Sequence, residues 1–114
     1  IVREPDGLAM SSRNQYLSAE ERQRALCISK ALFEAKHALE TGERDAARLG
    51  QIVRAGLDEV DTEYVEIVDA EAMRPVSRVT APILLAIAAR VGETRLIDNL
   101  KFDPAAPSGQ GRQQ

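Results

Sequence analysis

Apolar residues recur every three or four positions through the first half of the chain, the spacing of helices that bury one face. Ser18 and Glu21 form an S-x-x-E capping box, in which each side chain binds the other residue's backbone N–H. Gly42 is placed to end the helix in a left-handed cap. The pattern therefore predicts a helix of about 20 residues after Ser18. Its buried stripe comprises Ala25, Ile28, Leu32, Ala35 and Leu39.

A second stripe of the same spacing predicts a helix over 45–60, with Asp45 as its N-cap. Its buried face comprises Ala46, Leu49, Val53, Leu57 and Val60. The pattern then changes to a short run rich in β-branched residues, which predicts a strand over 62–69. A helical turn over 70–73 and a connection over 74–81 follow.

Two runs, 83–91 and 94–102, flank Gly92 and Glu93, and a two-residue turn with glycine first is typical of a type II′ hairpin. The run 83–91 is apolar almost throughout, so we expect it to be the central strand, covered on both faces or by helices on one. The order of elements predicts an α+β fold in two layers: two main helices packed on a small, mostly antiparallel sheet of three strands.

The chain divides by composition into three parts. Residues 1–17 are predicted to form a loop, because Pro5, Gly7 and the run Ser-Ser-Arg-Asn favour turns. Residues 18–103 are predicted to form one domain, in keeping with a length of 114 residues. The segment 104–114, rich in Pro, Ala, Ser, Gly and Gln, predicts a disordered tail.

Composition argues against several classes of protein. Lys and Arg total 15 against 18 for Asp and Glu, a net charge of −3, and aromatic residues make up 4%. Nucleic-acid binding is therefore not expected, and no run approaches the ~20 apolar residues of a membrane span. With one cysteine and no signal-peptide pattern, we expect a cytoplasmic protein. The first residue, Ile1, is not methionine, which suggests a processed or excised chain.

Few residues offer catalytic chemistry. Neither common glycine-rich phosphate motif is present, and one histidine with one cysteine gives no zinc-ligand spacing. His37 is expected at the edge of the first apolar stripe as a boundary residue. Cys27 is expected to be a small buried hydrophobe, although a Cys27–His37 pair formed by folding stays open. Most carboxylates fall at helix ends or on solvated faces, where no acid–base pair stands out.

The opening loop is the exception. Two hydroxyls, a guanidinium and an amide stand just ahead of the predicted helix, at Ser11, Ser12, Arg13 and Asn14. Hydroxyls, loop N–H groups and the planar fork of arginine are donors that bind polyphosphate oxygens. The same run is also an ordinary turn sequence, and the pattern by itself leaves both interpretations open.

The longer string REPDGLAMSSRNQYLSAEER, at 3–22, resembles the start of the C-terminal domain of pantoate–β-alanine ligases. The segments YVEIVDAEAM and LLAIAARVGETRLIDNL resemble that family's C-terminal strands, so the similarity covers about residues 1–101. The resemblance implies an enzyme of pantothenate biosynthesis that adenylates pantoate with ATP and then joins the adenylate to β-alanine. The implied fold of the whole enzyme is that of class I aminoacyl-tRNA synthetases and related nucleotidyltransferases.

The same resemblance implies an ATP-binding site. Met10, Ser11, Ser12 and Arg13 are similar to the mobile KMSKS loop of those enzymes, which grips the phosphates of ATP. Val2 would lie at the nucleotide through its backbone. Magnesium would accompany ATP as substrate, with no tightly bound cofactor, no metal ligand and no catalytic residue on this chain.

The family's N-terminal domain, with an H-x-G-H signature and the pantoate and β-alanine pockets, has no counterpart in these residues. The resemblance therefore implies a C-terminal lid domain that is inactive alone, has the missing N-terminal domain as its partner and belongs to a homodimer. The alternative is a non-catalytic interaction or dimerisation module, in which the serine loop is only a linker.

Overall fold

The computed structural model describes residues 3–105, in which two helices pack on one face of a three-stranded antiparallel sheet. The two helices are α1 at Ala19–Glu40 and α2 at Ala46–Ala55, and a short 3-10 helix at Ser12–Tyr16 precedes them. The strands are β1 at Asp61–Asp69, β2 at Ile83–Val91 and β3 at Thr94–Phe102, in the order β1-β2-β3. The predicted α+β arrangement is confirmed. None of the helices in this part of the chain is long and apolar enough to cross a membrane.

Both ends of α1 form as the sequence predicts. The Ser18 hydroxyl accepts from the Glu21 N–H at 3.1 Å, and the Glu21 carboxylate accepts from the Ser18 N–H at 2.9 Å. At the other end Gly42 has φ 113°, and the Glu43 N–H donates to the Ala38 carbonyl at 2.9 Å. This is the six-to-one hydrogen bond of a Schellman cap. All five residues of the predicted stripe are buried.

The second helix begins where predicted but ends earlier. The Asp45 carboxylate caps α2 by accepting the Ala47 N–H at 3.0 Å. The helix stops at Ala55 instead of residue 60. Gly56 is a poor helix former, and it lies so close to α1 that an added Cβ would stand 3.2 Å from that of Ala31. The chain turns there, and Leu57 remains buried beyond the end of the helix.

The central position of β2 explains its apolar sequence. Its alternate residues facing the helices are all buried: Ile83, Leu85, Ile87, Ala89 and Val91. Gly92 has φ 62° whereas Glu93 is not at positive φ, the combination of the predicted type II′ turn. The predicted tail lies mostly outside the described residues, at 106–114.

Candidate functional site

The segment before the 3-10 helix folds back on itself. Arg3 and Ala9 form an antiparallel bridge, and the Glu4 N–H donates to the Leu8 carbonyl at 2.8 Å. Gly7, at φ 98°, closes the turn by donating its N–H to the Glu4 carbonyl at 2.8 Å. Together with Ser12–Tyr16, this gives residues 3–17 more order than the predicted loop.

A buried ion pair fixes this segment to the sheet. The Arg3 guanidinium binds the Asp98 carboxylate through two hydrogen bonds of 2.7 and 2.9 Å. The Asp98 side chain is 3% exposed, so the pair is shielded from water and from salt. Arg3 also donates to the Gly7 carbonyl at 3.1 Å and lies over the Phe33 ring at 4.9 Å. One side chain thereby joins the loop, α1 and β3.

A second set of charges fixes the loop to α1. The Arg22 guanidinium forms salt bridges with both Glu4 and Asp6, and its Nε lies 2.8 Å from Oδ2 of Asp6. These hydrogen bonds from Arg22 are the main cause of a lowered pKa at each carboxyl group. Both acids are therefore paired with Arg22 of α1. Within residues 3–105 no carboxylate lies in salt-bridge distance of Arg13.

The buried side chain of Asn14 joins parts of the loop to one another. Its side chain is buried, and the amide nitrogen donates to the Glu4 carboxylate at 2.9 Å and to the Ala9 carbonyl at 3.0 Å. These bonds join the 3-10 helix to the turn before it. Of the four polar residues that suggested phosphate binding, this one uses its amide nitrogen within the loop, while its Oδ1 has no hydrogen-bond partner in residues 3–105. Asn14 also borders the cavity beside β3.

The other three residues, with Met10, lie on the surface. Met10 is 56% exposed, and Ser11, Ser12 and Arg13 are exposed too. The Ser11 hydroxyl accepts from the Arg13 N–H at 3.1 Å, which begins the 3-10 helix, and Arg13 donates to the Arg95 carbonyl at 3.2 Å. Met10, Ser11 and Arg13 border a cavity of about 310 Å³ between the loop and β3. Val2, the remaining predicted contact, lies outside the described residues.

The lone histidine and cysteine do not come together. His37 is exposed and Cys27 is buried on the same helix, and ten helical residues separate their backbones by about 15 Å. Burial is the main cause of a raised pKa at the Cys27 thiol, in keeping with a small hydrophobe. Residues 3–105 contain no group of three or more His, Cys, Asp or Glu that could hold a metal ion.

The family model for pantoate–β-alanine ligase matches residues 1–101. The chain belongs to this family. Its sequence is 53% identical over 106 residues to the pantothenate synthetase of Sulfurihydrogenibium sp. strain YO3AOP1, covering 90% of this chain and 38% of that ligase. It is 54% identical over 101 residues to pantothenate synthetase 1 of Bradyrhizobium diazoefficiens, and the match covers 87% of this chain and 36% of that protein.

A solved ligase has the same fold in the matched part. The crystal structure of pantothenate synthetase from Thermus thermophilus matches with a TM-score of 0.77 at 40% identity, over 87% of this chain and 37% of that one. The resemblance noted from the sequence is thus confirmed at the level of the family. The chain spans little more than a third of the length of these ligases.

Sequence reasoning missed the residues that hold the loop in place. The sequence places the charge of Arg3 in the opening loop, but it does not indicate the partner Asp98, which is 95 positions away. Arg22 lies on α1, where a charged residue usually faces solvent. No local pattern distinguishes them, because their role depends on which elements the fold brings beside the loop.

Proposed function

We propose that this chain is the C-terminal, phosphate-binding part of an ATP-dependent pantoate–β-alanine ligase, which adenylates pantoate and passes the pantoyl group to β-alanine. Membership of the family supports the reaction. The exposed segment from Met10 to Arg13, at the mouth of the cavity beside β3, supports the part this chain plays. We further propose that residues 18–103 form the domain and residues 1–17 the loop that contacts the nucleotide.

The guanidinium of Arg13, which has no carboxylate partner among residues 3–105, carries this proposal. Arg3 and Arg22 are neutralised by carboxylates, whereas the Arg13 side chain is exposed and, within residues 3–105, makes one hydrogen bond, to a backbone carbonyl. The remaining N–H groups of its planar fork suit the oxygens of a phosphate. The hydroxyls of Ser11 and Ser12 would add short hydrogen bonds. Such donors stabilise the charge that builds up as the α-phosphorus is attacked.

The rest of the reaction belongs to partners of this chain. We propose that the N-terminal part of the ligase holds the pantoate, β-alanine and nucleotide, that ATP arrives as its magnesium complex, and that the intact enzyme is a homodimer. A ligase that consumes ATP fits the cytoplasmic location expected from the sequence. The phosphate-binding loop would close over the bound nucleotide when the transition state forms.

Substitution of Arg13 in the complete ligase tests the proposal. Arg13→Ala should slow adenylation by about one to three orders of magnitude, measured as pyrophosphate release in a single turnover. Arg13→Lys should recover only part of the rate, because lysine lacks the fork geometry. The matched control is Arg48→Ala, at an exposed residue of α2, which should keep the original rate. An unchanged rate for Arg13→Ala would show that the loop does not act on the phosphates.

The open face of the sheet favours a second candidate, an interaction module. On the face away from the helices, Ile97 is 46% exposed, and Leu84 and Ala86 are only partly covered. Titration of the labelled chain with millimolar ATP separates the candidates. Amide shifts that include residues 3–13 support the nucleotide role, whereas no shift, with dimerisation seen by light scattering, supports the module.

A further inference from the structure

Two arginines next to Arg13 are held side by side by one carboxylate. Arg90 on β2 and Arg95 on β3 are directly paired in the sheet. The register of β1 shifts between Thr62 and Tyr64, so that Glu63 lies in a bulge beside this pair. Glu63 accepts hydrogen bonds from Nε of Arg90 at 2.8 Å and from Nε of Arg95 at 2.6 Å.

Glu63 orients these arginines but does not neutralise both. Each contact uses Nε, one of five N–H donors on a guanidinium, and a single carboxylate stands against two cations. Both arginine side chains keep access to solvent, with 47% of Arg90 and 35% of Arg95 exposed. The Nη groups of the pair are therefore positioned on the surface with a positive charge left over.

Arg13 extends this cluster to the predicted phosphate loop. Its guanidinium donates to the Arg95 carbonyl at 3.2 Å, and all three arginines line one open groove that runs beside the hairpin turn. Glu21 and Glu93 also border the groove. With Glu63, these carboxylates balance the charge of the three arginines, so the groove is distinguished by the placement of its guanidinium donors and not by an excess of positive charge. One Glu21 oxygen also accepts from the Ser18 N–H in the helix cap.

We infer that Arg95, with Arg90 and the Glu63 that orients them, forms a second polyphosphate-binding site continuous with Arg13. A di- or triphosphate has several anionic oxygens in a row, so it can bridge Arg13 and the arginine pair, which a single carboxylate cannot do. The inference rests on the proposed function only for the part that Arg13 plays. The arginine pair stands on its own geometry.

The test is a titration of the isotope-labelled chain with inorganic pyrophosphate at constant ionic strength, followed at the backbone amides and the arginine Nε–H signals. The signals of Arg90 and Arg95 should shift together with those of Arg13. Arg95→Gln should weaken the apparent affinity roughly three- to tenfold. Arg48→Gln, an equal change of charge on an exposed face of α2, should leave it within about twofold.

Each outcome decides a separate point. Loss of affinity in Arg13→Gln but not in Arg95→Gln overturns this inference and leaves the proposed function standing. Loss in Arg95→Gln but not in Arg13→Gln supports phosphate binding by the arginine pair, but it overturns the bridge to Arg13 and contradicts the role proposed for Arg13. Equal weakening by Arg48→Gln means non-specific attraction and overturns the inference, as does absence of binding by the original chain. Arg95→Lys keeps the charge and should bind between the original chain and Arg95→Gln, which preserves the test if the glutamine variant unfolds.

A parallel titration with magnesium-bound ATP distinguishes the source of the phosphate. Larger shifts at Arg95 with pyrophosphate assign the site to the released product, and larger shifts with ATP assign it to the nucleotide. Either result supports the inference, because the recognised group is the same. Absence of shifts at Arg90 and Arg95 with both ligands overturns it.

Discussion

Asp98 is a buried charge, and its contribution to stability depends on its partner Arg3. Its carboxylate is almost fully buried and bound by the two-pronged contact with Arg3. Removing one member of such a pair leaves a desolvated charge without compensation. Asp98→Asn should therefore lower the free energy of unfolding by about 3 kcal/mol, measured by urea denaturation. Asp58→Asn, at an exposed aspartate, should change it by less than about 0.5 kcal/mol.

The same substitution also tests whether the ion pair holds the loop. If Arg3 and Asp98 fix residues 3–9 to the sheet, Asp98→Asn should speed amide hydrogen exchange in that segment more than in α2. A loss of stability below about 1 kcal/mol, with unchanged exchange in the loop, would show that the pair contributes little.

Glu4 and Asp6 make the loop sensitive to acid. Hydrogen bonds from Arg22 lower the pKa of both carboxyls from their ordinary values of 4.5 and 3.8. A lowered folded-state pKa stabilises the fold above the ordinary value, and this contribution is lost as the pH falls through the folded value. Carboxyl-carbon titrations should therefore give midpoints below 4.5 for Glu4 and below 3.8 for Asp6. Arg22→Gln should raise both midpoints, because it removes the main cause of the lowered pKa at each carboxyl, and unchanged midpoints would refute the pairing.

At the scale of whole elements, two glycines provide a matched test of backbone conformation. An added Cβ meets nothing within 4 Å at either Gly42 or Gly50, so packing is equal at both. Gly42 ends α1 at φ 113°, where an L side chain is strained, whereas Gly50 lies inside α2. Gly42→Ala should destabilise the chain by about 1 kcal/mol, and Gly50→Ala should stabilise it by about 0.5–1 kcal/mol. Thermal or urea unfolding measures both, and the same sign for the two would contradict the argument.

Element boundaries were predictable where the signal is local. The capping box at Ser18, the cap at Gly42 and the turn at Gly92 each depend on a few neighbouring residues, and all three form. The predicted end of α2 at residue 60 was wrong, because the apolar spacing continues to Leu57 and Val60 after the helix has ended at Ala55. The turn at Gly56 depends on how closely this residue packs against Ala31 of α1, a contact between helices that neither stripe contains.

At the scale of the whole molecule, the chain resembles part of a larger catalyst. It spans 37% of the ligase from Thermus thermophilus, and a loop of donors cannot by itself position pantoate for attack on ATP. The 114-residue chain should therefore show no formation of pantothenate or AMP from pantoate, β-alanine and ATP, with a complete ligase as the positive control. Turnover by the purified chain would refute the proposed division of labour.

The sequence by itself determined α1, the start of α2, the hairpin, the class of fold and the family. Those depend on periodicity, on caps and on long strings such as the one that surrounds Met10 to Arg13. Only the tertiary structure decided which polar groups are paired: the amide nitrogen of Asn14 within the loop, Arg3 with Asp98, and Glu4 and Asp6 with Arg22. It also decided that Arg13 is left exposed beside Arg95. The physical reason is that charge pairing acts between groups a few ångströms apart, and their separation along the chain carries no record of that distance.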